Sequence, residues 1–227
     1  MRSLPVVTQT IHISEVFLSL QGEGPSAGTP AHFLRLQGCD VGCSWCDTKY
    51  SWEASGGREV ELDRLWQEAA ALGEAPLLVV TGGEPLQRPS IATVLEAALA
   101  RWPRVEVETS GVAPPPLSHP RLAWNVSPKL PSATPRWSDT WRHAQAWLAE
   151  PRATFKLVVV DADDLEQARR LLAEHGIPHA RAMLMPEGMT AETLRERAAW
   201  LAGACTRLGL RLSPRLHIWL WGARRGV

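Results

Sequence analysis

Cys39, Cys43 and Cys46 stand within Cys39-Asp40-Val41-Gly42-Cys43-Ser44-Trp45-Cys46. Soft thiolates separated by three and then two residues let a turning backbone present three sulfurs to one compact iron–sulfur body, with Gly42 easing the crowding between the first two. A four-iron cluster takes four ligands, so three cysteines leave one iron open to an exchangeable ligand, and chemistry can enter there. Structural zinc is the competing reading, and it asks for a fourth Cys or His. Asp40 and Asp47 are hard ligands, His32 precedes the loop, and Cys205 or His217 would have to come from far along the chain. Cys205 also fits the apolar pattern Leu201, Cys205, Leu208 as a small buried hydrophobe.

The elements around this loop read as alternating strands and helices. Ile11 to Leu20 alternates imperfectly through Ile13, Val16, Leu18 and Leu20 and delivers Gln21-Gly22-Glu23-Gly24 to a loop. His32 to Leu36 is a second strand entering the cysteines. Val60 to Leu72 has helical spacing and ends at Gly73. Pro76 to Val80 is a buried strand followed at once by Thr81-Gly82-Gly83-Glu84-Pro85. Ile91 to Trp102 reads as a helix with Ser90 as N-cap, Val105 to Glu108 and Leu122 to Val126 as strands, and Trp141 to Leu148 as a short helix. Phe155 to Val160 and Arg181 to Met185 are strands. Leu165 to His175, closed by Gly176, and Ala191 to Leu208 are helices, and Arg215 to Trp219 is a final extended segment. Polar, glycine-bearing segments recur at strand ends, where parallel α/β proteins place their sites. The fold expected is α/β: a mostly parallel curved sheet forming an incomplete TIM-like barrel with reduced outer helices, in one domain over 1–227.

With 227 residues, 45% hydrophobic and 21% charged, the chain can bury a substantial core. Its 24 basic and 24 acidic residues cancel, so no global field gathers nucleic acid or an anionic membrane. No stretch approaches the ~18 apolar residues of a membrane span, and Met1 to Gln9 lacks the features of a signal peptide; the cytosol is the expected location. Clustered cysteines fit metal binding in a reducing compartment better than a disulfide framework.

The cysteine loop resembles the signature of the radical S-adenosylmethionine superfamily, with Trp45 just before its last cysteine. Gly82-Gly83-Glu84-Pro85 is similar to that superfamily's segment for the methionyl amino group; glycines permit close backbone approach, and Glu84 can accept hydrogen bonds from an ammonium. Phe17 to Gly24, Phe33 to Cys39, Cys46-Asp47-Thr48, Glu108-Thr109-Ser110-Gly111, Ser127-Pro128-Lys129, Phe155-Lys156-Leu157-Val158 and Trp221 to Val227 together resemble the 7-carboxy-7-deazaguanine synthases across nearly the whole chain.

That resemblance implies conversion of 6-carboxy-5,6,7,8-tetrahydropterin to 7-carboxy-7-deazaguanine with loss of ammonia, in queuosine and 7-deazapurine synthesis. It implies a homodimer using a [4Fe-4S] cluster on Cys39, Cys43 and Cys46, S-adenosylmethionine, Mg²⁺ and a reductase such as flavodoxin or ferredoxin. Trp45, Gly83, Glu84, Ser110, Ser127, Pro128 and Lys129 would meet the cofactor. Leu20, Gln21, Gly22, Glu23, Arg35, Thr81, Glu108 and Val227 would meet the pterin, Arg35 through the substrate carboxylate and Val227 through its terminal carboxylate. Thr48 would offer oxygen to Mg²⁺, too weakly to hold it without substrate. Glu23 is also readable as structural, Asp47 as a second-layer acceptor or a loop cap, and Lys156 and His217 as packing groups. A glycyl-radical-activating enzyme would share the cysteine loop but would not need Gln21, Arg35 and Thr48 together. A zinc-stabilised binding protein is the non-enzymatic alternative.

Overall fold

In the computed structural model, residues 9–227 are described; the signal-peptide reading of Met1 to Gln9 lies outside them except for Gln9. Among the described residues nine strands form one sheet: β1 (Thr10–Leu20), β2 (Pro30–Leu36), β3 (Arg58–Glu61), β4 (Leu77–Gly82), β5 (Arg104–Thr109), β6 (Leu122–Val126), β7 (Ala153–Val159), β8 (Ala182–Pro186) and β9 (Arg211–Leu212). Their order is β3-β1-β2-β4-β5-β6-β7-β8-β9. From β2 to β9 every pairing is parallel, whereas β1 runs antiparallel to both neighbours. The sheet ends on β3 and β9 and does not close, which is the expected partial barrel.

Alternation along the parallel strands separates two faces. Leu34, Leu36, Leu78, Val80, Val105, Val107, Leu122, Trp124, Phe155, Leu157 and Leu184 join one apolar core. Against it lie α1 (Leu62–Ala71), α2 (Ile91–Leu99), α3 (Ala144–Ala149), α4 (Ala162–Glu174) and α5 (Ala191–Leu208), while α6 (Leu216–Trp221) ends the chain's regular structure. No helix stands between β5 and β6, and α3 has only six residues, so the outer layer is thin, as expected. The opposite face carries Arg35, Thr81, Glu106, Glu108, Asn125 and Lys156. Its lower layer is plugged: the 3-10 turn Gly24–Ser26 reaches in, and Glu106 accepts from Ser26, from Arg104 at 3.1 Å and from Asn125 at 3.2 Å. The upper layer stays open.

Several boundaries differ from the sequence reading. Val60 belongs to β3, paired with Ile11, and the helix starts only after Glu61. Ser90 makes no side-chain cap on α2. The expected extended segment Arg215 to Trp219 is instead the N-cap and first turn of α6; Leu216 N–H donates to Gly22 O at 2.9 Å, so a tertiary contact decides a segment whose apolar residues alternate like a strand. The imperfect alternation of β1 has a cause: a register shift between Ile13 and Glu15 puts Ile13 in the main core but Phe17 on the cavity side. Among the described residues no helix is long and apolar enough to cross a membrane.

Candidate active site

One cavity opens where the parallel strands end, and it takes residues from β1, β2, β4, β5, β7 and β8 and from the segments that follow the strands, including Ser127 and Lys129 after β6. Leu20, Gln21, Gly22, Glu23, Arg35, Cys39, Cys43, Trp45, Cys46, Thr48, Thr81, Gly83, Glu84, Glu108, Ser110, Ser127, Lys129 and Val227 all line it. Pro128 is not among its lining residues; it is buried in the turn between Ser127 and Lys129.

The cysteine loop is braced on several sides. Cys39 N–H donates to Trp52 O at 3.0 Å, Ser44 N–H to Ala133 O at 2.8 Å, and Thr134 Oγ1–H to Val41 O at 2.7 Å. Trp52 donates its indole N–H to Cys46 Sγ at 3.3 Å. All four cysteines are free thiols. Burial pushes the Cys39 thiol up to about 11 and raises that of Cys43 despite the Lys129 ammonium, so a cationic iron centre must displace their protons. Three soft donors on one cavity wall fit an iron–sulfur cluster. A structural zinc would ask for a fourth Cys or His beside them, and among the described residues no group of three or more His, Cys, Asp or Glu side chains is placed to hold a metal ion. Cys205 is on the buried face of α5 with its thiol toward Arg211 O, and His217 is drawn to Glu23.

The glycine-rich segment serves the fold first. A Cβ on Gly83 would collide with the Gly38 carbonyl, so glycine is needed there for β4 to lie against the chain entering the cysteines. Glu84, 2% exposed, accepts from Leu86 N at 3.0 Å, Thr109 Oγ1 at 2.5 Å, Ser110 N at 2.7 Å and Ser110 Oγ at 2.6 Å. Those four donors fill the carboxylate, so an incoming ammonium must displace one of them. Lys129 Nζ lies 5.4 Å over the Trp45 ring and 3.2 Å from Ser127 Oγ, joining two of the expected cofactor segments.

Across the cavity, Gln21 Nε2–H donates to Glu108 Oε1 at 3.2 Å and Thr81 Oγ1–H to Glu108 Oε2 at 2.8 Å. Arg35 gives its Nε–H to Glu15 at 2.8 Å; among the described residues neither terminal nitrogen of its guanidinium has a hydrogen-bond partner, and the group faces the cavity. Thr48 Oγ1 lies 3.5 Å from Cys46 Sγ.

Sequence reasoning missed the group that holds this wall. Arg215, 8% exposed, bonds Glu23 at 3.1 Å, Gly188 O at 2.6 Å and also Asp47. Lys156 pairs with Glu23. Asp47 is therefore neither a free acceptor nor a simple loop cap; it is one end of an ion-pair chain. Burial raises the Glu23 carboxyl, but Lys156 and Arg215 outweigh it and hold the group far below the usual carboxylate range. Glu23 in turn keeps Lys156 charged against its own burial. His217 is lowered by burial, which favours the neutral ring. A Cβ on Gly22 would strike the His217 ring, so Gly22 admits the histidine that sequence left undecided. Two buried cations 59 residues apart carried no local signal beyond the Phe155-Lys156 segment.

A Radical SAM superfamily model matches residues 34–122. The 7-carboxy-7-deazaguanine synthase of Pyrobaculum aerophilum is 42% identical over 223 residues, covering 96% of this chain and 98% of that one. The 7-carboxy-7-deazaguanine synthase of Hyperthermus butylicus is 35% identical, with 96% and 95% covered. The crystal structure of QueE from Escherichia coli superposes with a TM-score of 0.64 at 27% identity, covering 90% of this chain and 93% of that one.

Proposed function

The chain belongs to the 7-carboxy-7-deazaguanine synthase family of the radical S-adenosylmethionine superfamily, and on that premise we propose how its residues convert 6-carboxy-5,6,7,8-tetrahydropterin into 7-carboxy-7-deazaguanine and ammonia. The observation that carries the reading is one cavity holding the three thiols on one wall and, on the other, Arg35 beside Gln21, Thr81 and Glu108. When bound, the cluster and S-adenosylmethionine supply the radical that removes hydrogen from the pterin.

Cys39, Cys43 and Cys46 hold the cluster. Ser110, Ser127, Lys129 and the Gly83 backbone receive the cofactor, with Trp45 under the Lys129 ammonium and Pro128 setting the turn between them. Glu84 orients Ser110 and would be the acceptor for the methionyl ammonium of a bound cofactor. Arg35 takes the substrate carboxylate on its two terminal nitrogens. Glu108 accepts from the guanidine-like edge of the pterin, held in place by Gln21 and Thr81; Leu20 and Gly22 contribute backbone, and Val227 edges the same space. Glu23, braced by Lys156 and Arg215, fixes the Gln21-Gly22-Glu23 loop and offers its remaining edge to the ring.

A single hydroxyl at Thr48, with Asp47 spent on Arg215, supports Mg²⁺ binding only together with the substrate carboxylate and water. The same reading takes the chain as one domain working as a cytosolic homodimer, reduced by a flavodoxin- or ferredoxin-type donor. Anaerobically reconstituted protein given the carboxytetrahydropterin, S-adenosylmethionine, Mg²⁺ and reductant should yield the deazaguanine by ultraviolet absorption and mass. A reduced, cofactor-responsive cluster with no conversion would refute the substrate assignment.

A further inference from the structure

Glu15 sits in the middle of β1 with its side chain 14% exposed, and three groups converge on it. Arg35 Nε–H donates to Oε1 at 2.8 Å, Tyr50 O–H donates to the same oxygen at 2.7 Å, and Arg225 Nε–H donates to Oε2 at 2.8 Å. The Arg225 guanidinium also lies 4.2 Å over the Tyr50 ring. One carboxylate thus joins the cavity arginine to the tail that ends at Val227, itself at the cavity wall. The backbone is shaped for this contact. With strict alternation Glu15 would share the face of Ile13, in the main core; the register shift between them turns it to sit opposite Arg35, on the face of Phe17 and Phe33.

We propose that Glu15 is a positioning residue that couples the substrate-carboxylate arginine to the C-terminal tail, so that fixing Arg35 and closing the tail over the cavity are one event. By occupying Nε it leaves the two terminal nitrogens of Arg35 as a fork aimed at a carboxylate. The net charge of Glu15, Arg35 and Arg225 is one positive unit, which an anionic substrate group neutralises. Tyr50 holds both the carboxylate and the stacked Arg225. This inference rests on Arg35 receiving the pterin carboxylate, and the test separates the two.

Glu15→Gln keeps the size and one carbonyl oxygen for Arg35 but cannot accept from Arg225 through its amide nitrogen. It should raise KM for the pterin about tenfold, the scale of a lost charged hydrogen bond, while kcat falls much less. Trypsin should cut at Arg224 and Arg225 faster in Glu15→Gln than in the wild type, and saturating pterin should protect the wild type alone. Arg225→Gln, which removes one of the two trypsin sites, should raise KM equally and speed cleavage at Arg224 as Glu15→Gln does, and the double variant should be no worse than either single one in KM or in cleavage at Arg224. Additive effects of Glu15→Gln and Arg225→Gln, unchanged tail cleavage, or a loss confined to kcat would overturn the coupling. Arg35→Gln is the control: if it leaves KM unchanged, the carboxylate assignment itself fails, whereas a raised KM in Arg35→Gln with normal Glu15→Gln sinks only the coupling. Circular dichroism and Tm establish that each variant is folded, and Glu15→Asp, which keeps the charge, should restore tail protection in part.

Discussion

The two walls of the cavity are built on different principles. The proposed cofactor wall consists of three short segments, each continuous in sequence, Cys39 to Cys46, Gly82 to Pro85 and Ser127 to Lys129, held by backbone hydrogen bonds and by Glu84. The proposed pterin wall is a network of charges from remote parts of the chain, in which buried Lys156 and Arg215 are balanced by Glu23 and by the more exposed Asp47, and Glu15 gathers Arg35, Tyr50 and Arg225. A ligand wall made of contiguous loops tolerates exchange of a cofactor, whereas a wall made of buried ion pairs ties recognition of substrate to the stability of the fold.

The contrast gives different outcomes when each wall is cut. Replacing Cys43 by Ala should abolish a full four-iron complement and all turnover while leaving the fold intact, as iron analysis and circular dichroism would show, because the loop is also held by backbone contacts. Lys156→Met should do the reverse and act on stability: removing one partner of a buried pair costs about 3–5 kcal/mol, measurable by denaturant unfolding. Adding Glu23→Gln to it should recover part of that loss, since Arg215 and Asp47 then balance each other with no excess buried negative charge. The pH profile has a definite sign. The Glu23 carboxyl is held below its ordinary 4.5, so its contribution is complete above that value and fades as pH falls toward the folded value; the Lys156 ammonium is raised above its ordinary 10.5, so its contribution is complete below that and is lost as pH climbs through the folded value. Lys156→Met should flatten both limbs in Tm against pH. The smallest effect expected is on the cofactor wall: Trp52→Phe removes an N–H donor to the Cys46 sulfur and should move the cluster's midpoint potential to more negative values without changing iron content.

The same division governs how much could be read in advance. The parallel strands were legible because each is a short apolar run ending in a polar turn, and the cysteine loop because its spacing is local. Arg35, Gln21, Thr81 and Glu108 were reached through the family resemblance, and they line one cavity. Arg215 and Glu15 were not: nothing near Arg215 marks it as the partner of Glu23 and Asp47, and Glu15 reaches Arg35 only through a register shift whose sole trace is broken alternation after Ile13. Arg215 to Trp219 misled for a related reason, since the helix that begins at Leu216 docks on Gly22. The Gly82-Gly83 pair was read as making room for a cofactor; Gly83 is needed where the chain meets Gly38 before any cofactor arrives.

The central claim is that three cysteines leave one iron of a four-iron cluster open inside this cavity. Electron paramagnetic resonance of the dithionite-reduced, anaerobically reconstituted protein, recorded before and after addition of S-adenosylmethionine, tests it directly. A four-iron signal whose g-values change on addition is the predicted result; an identical spectrum with and without S-adenosylmethionine, at full iron content, would contradict it.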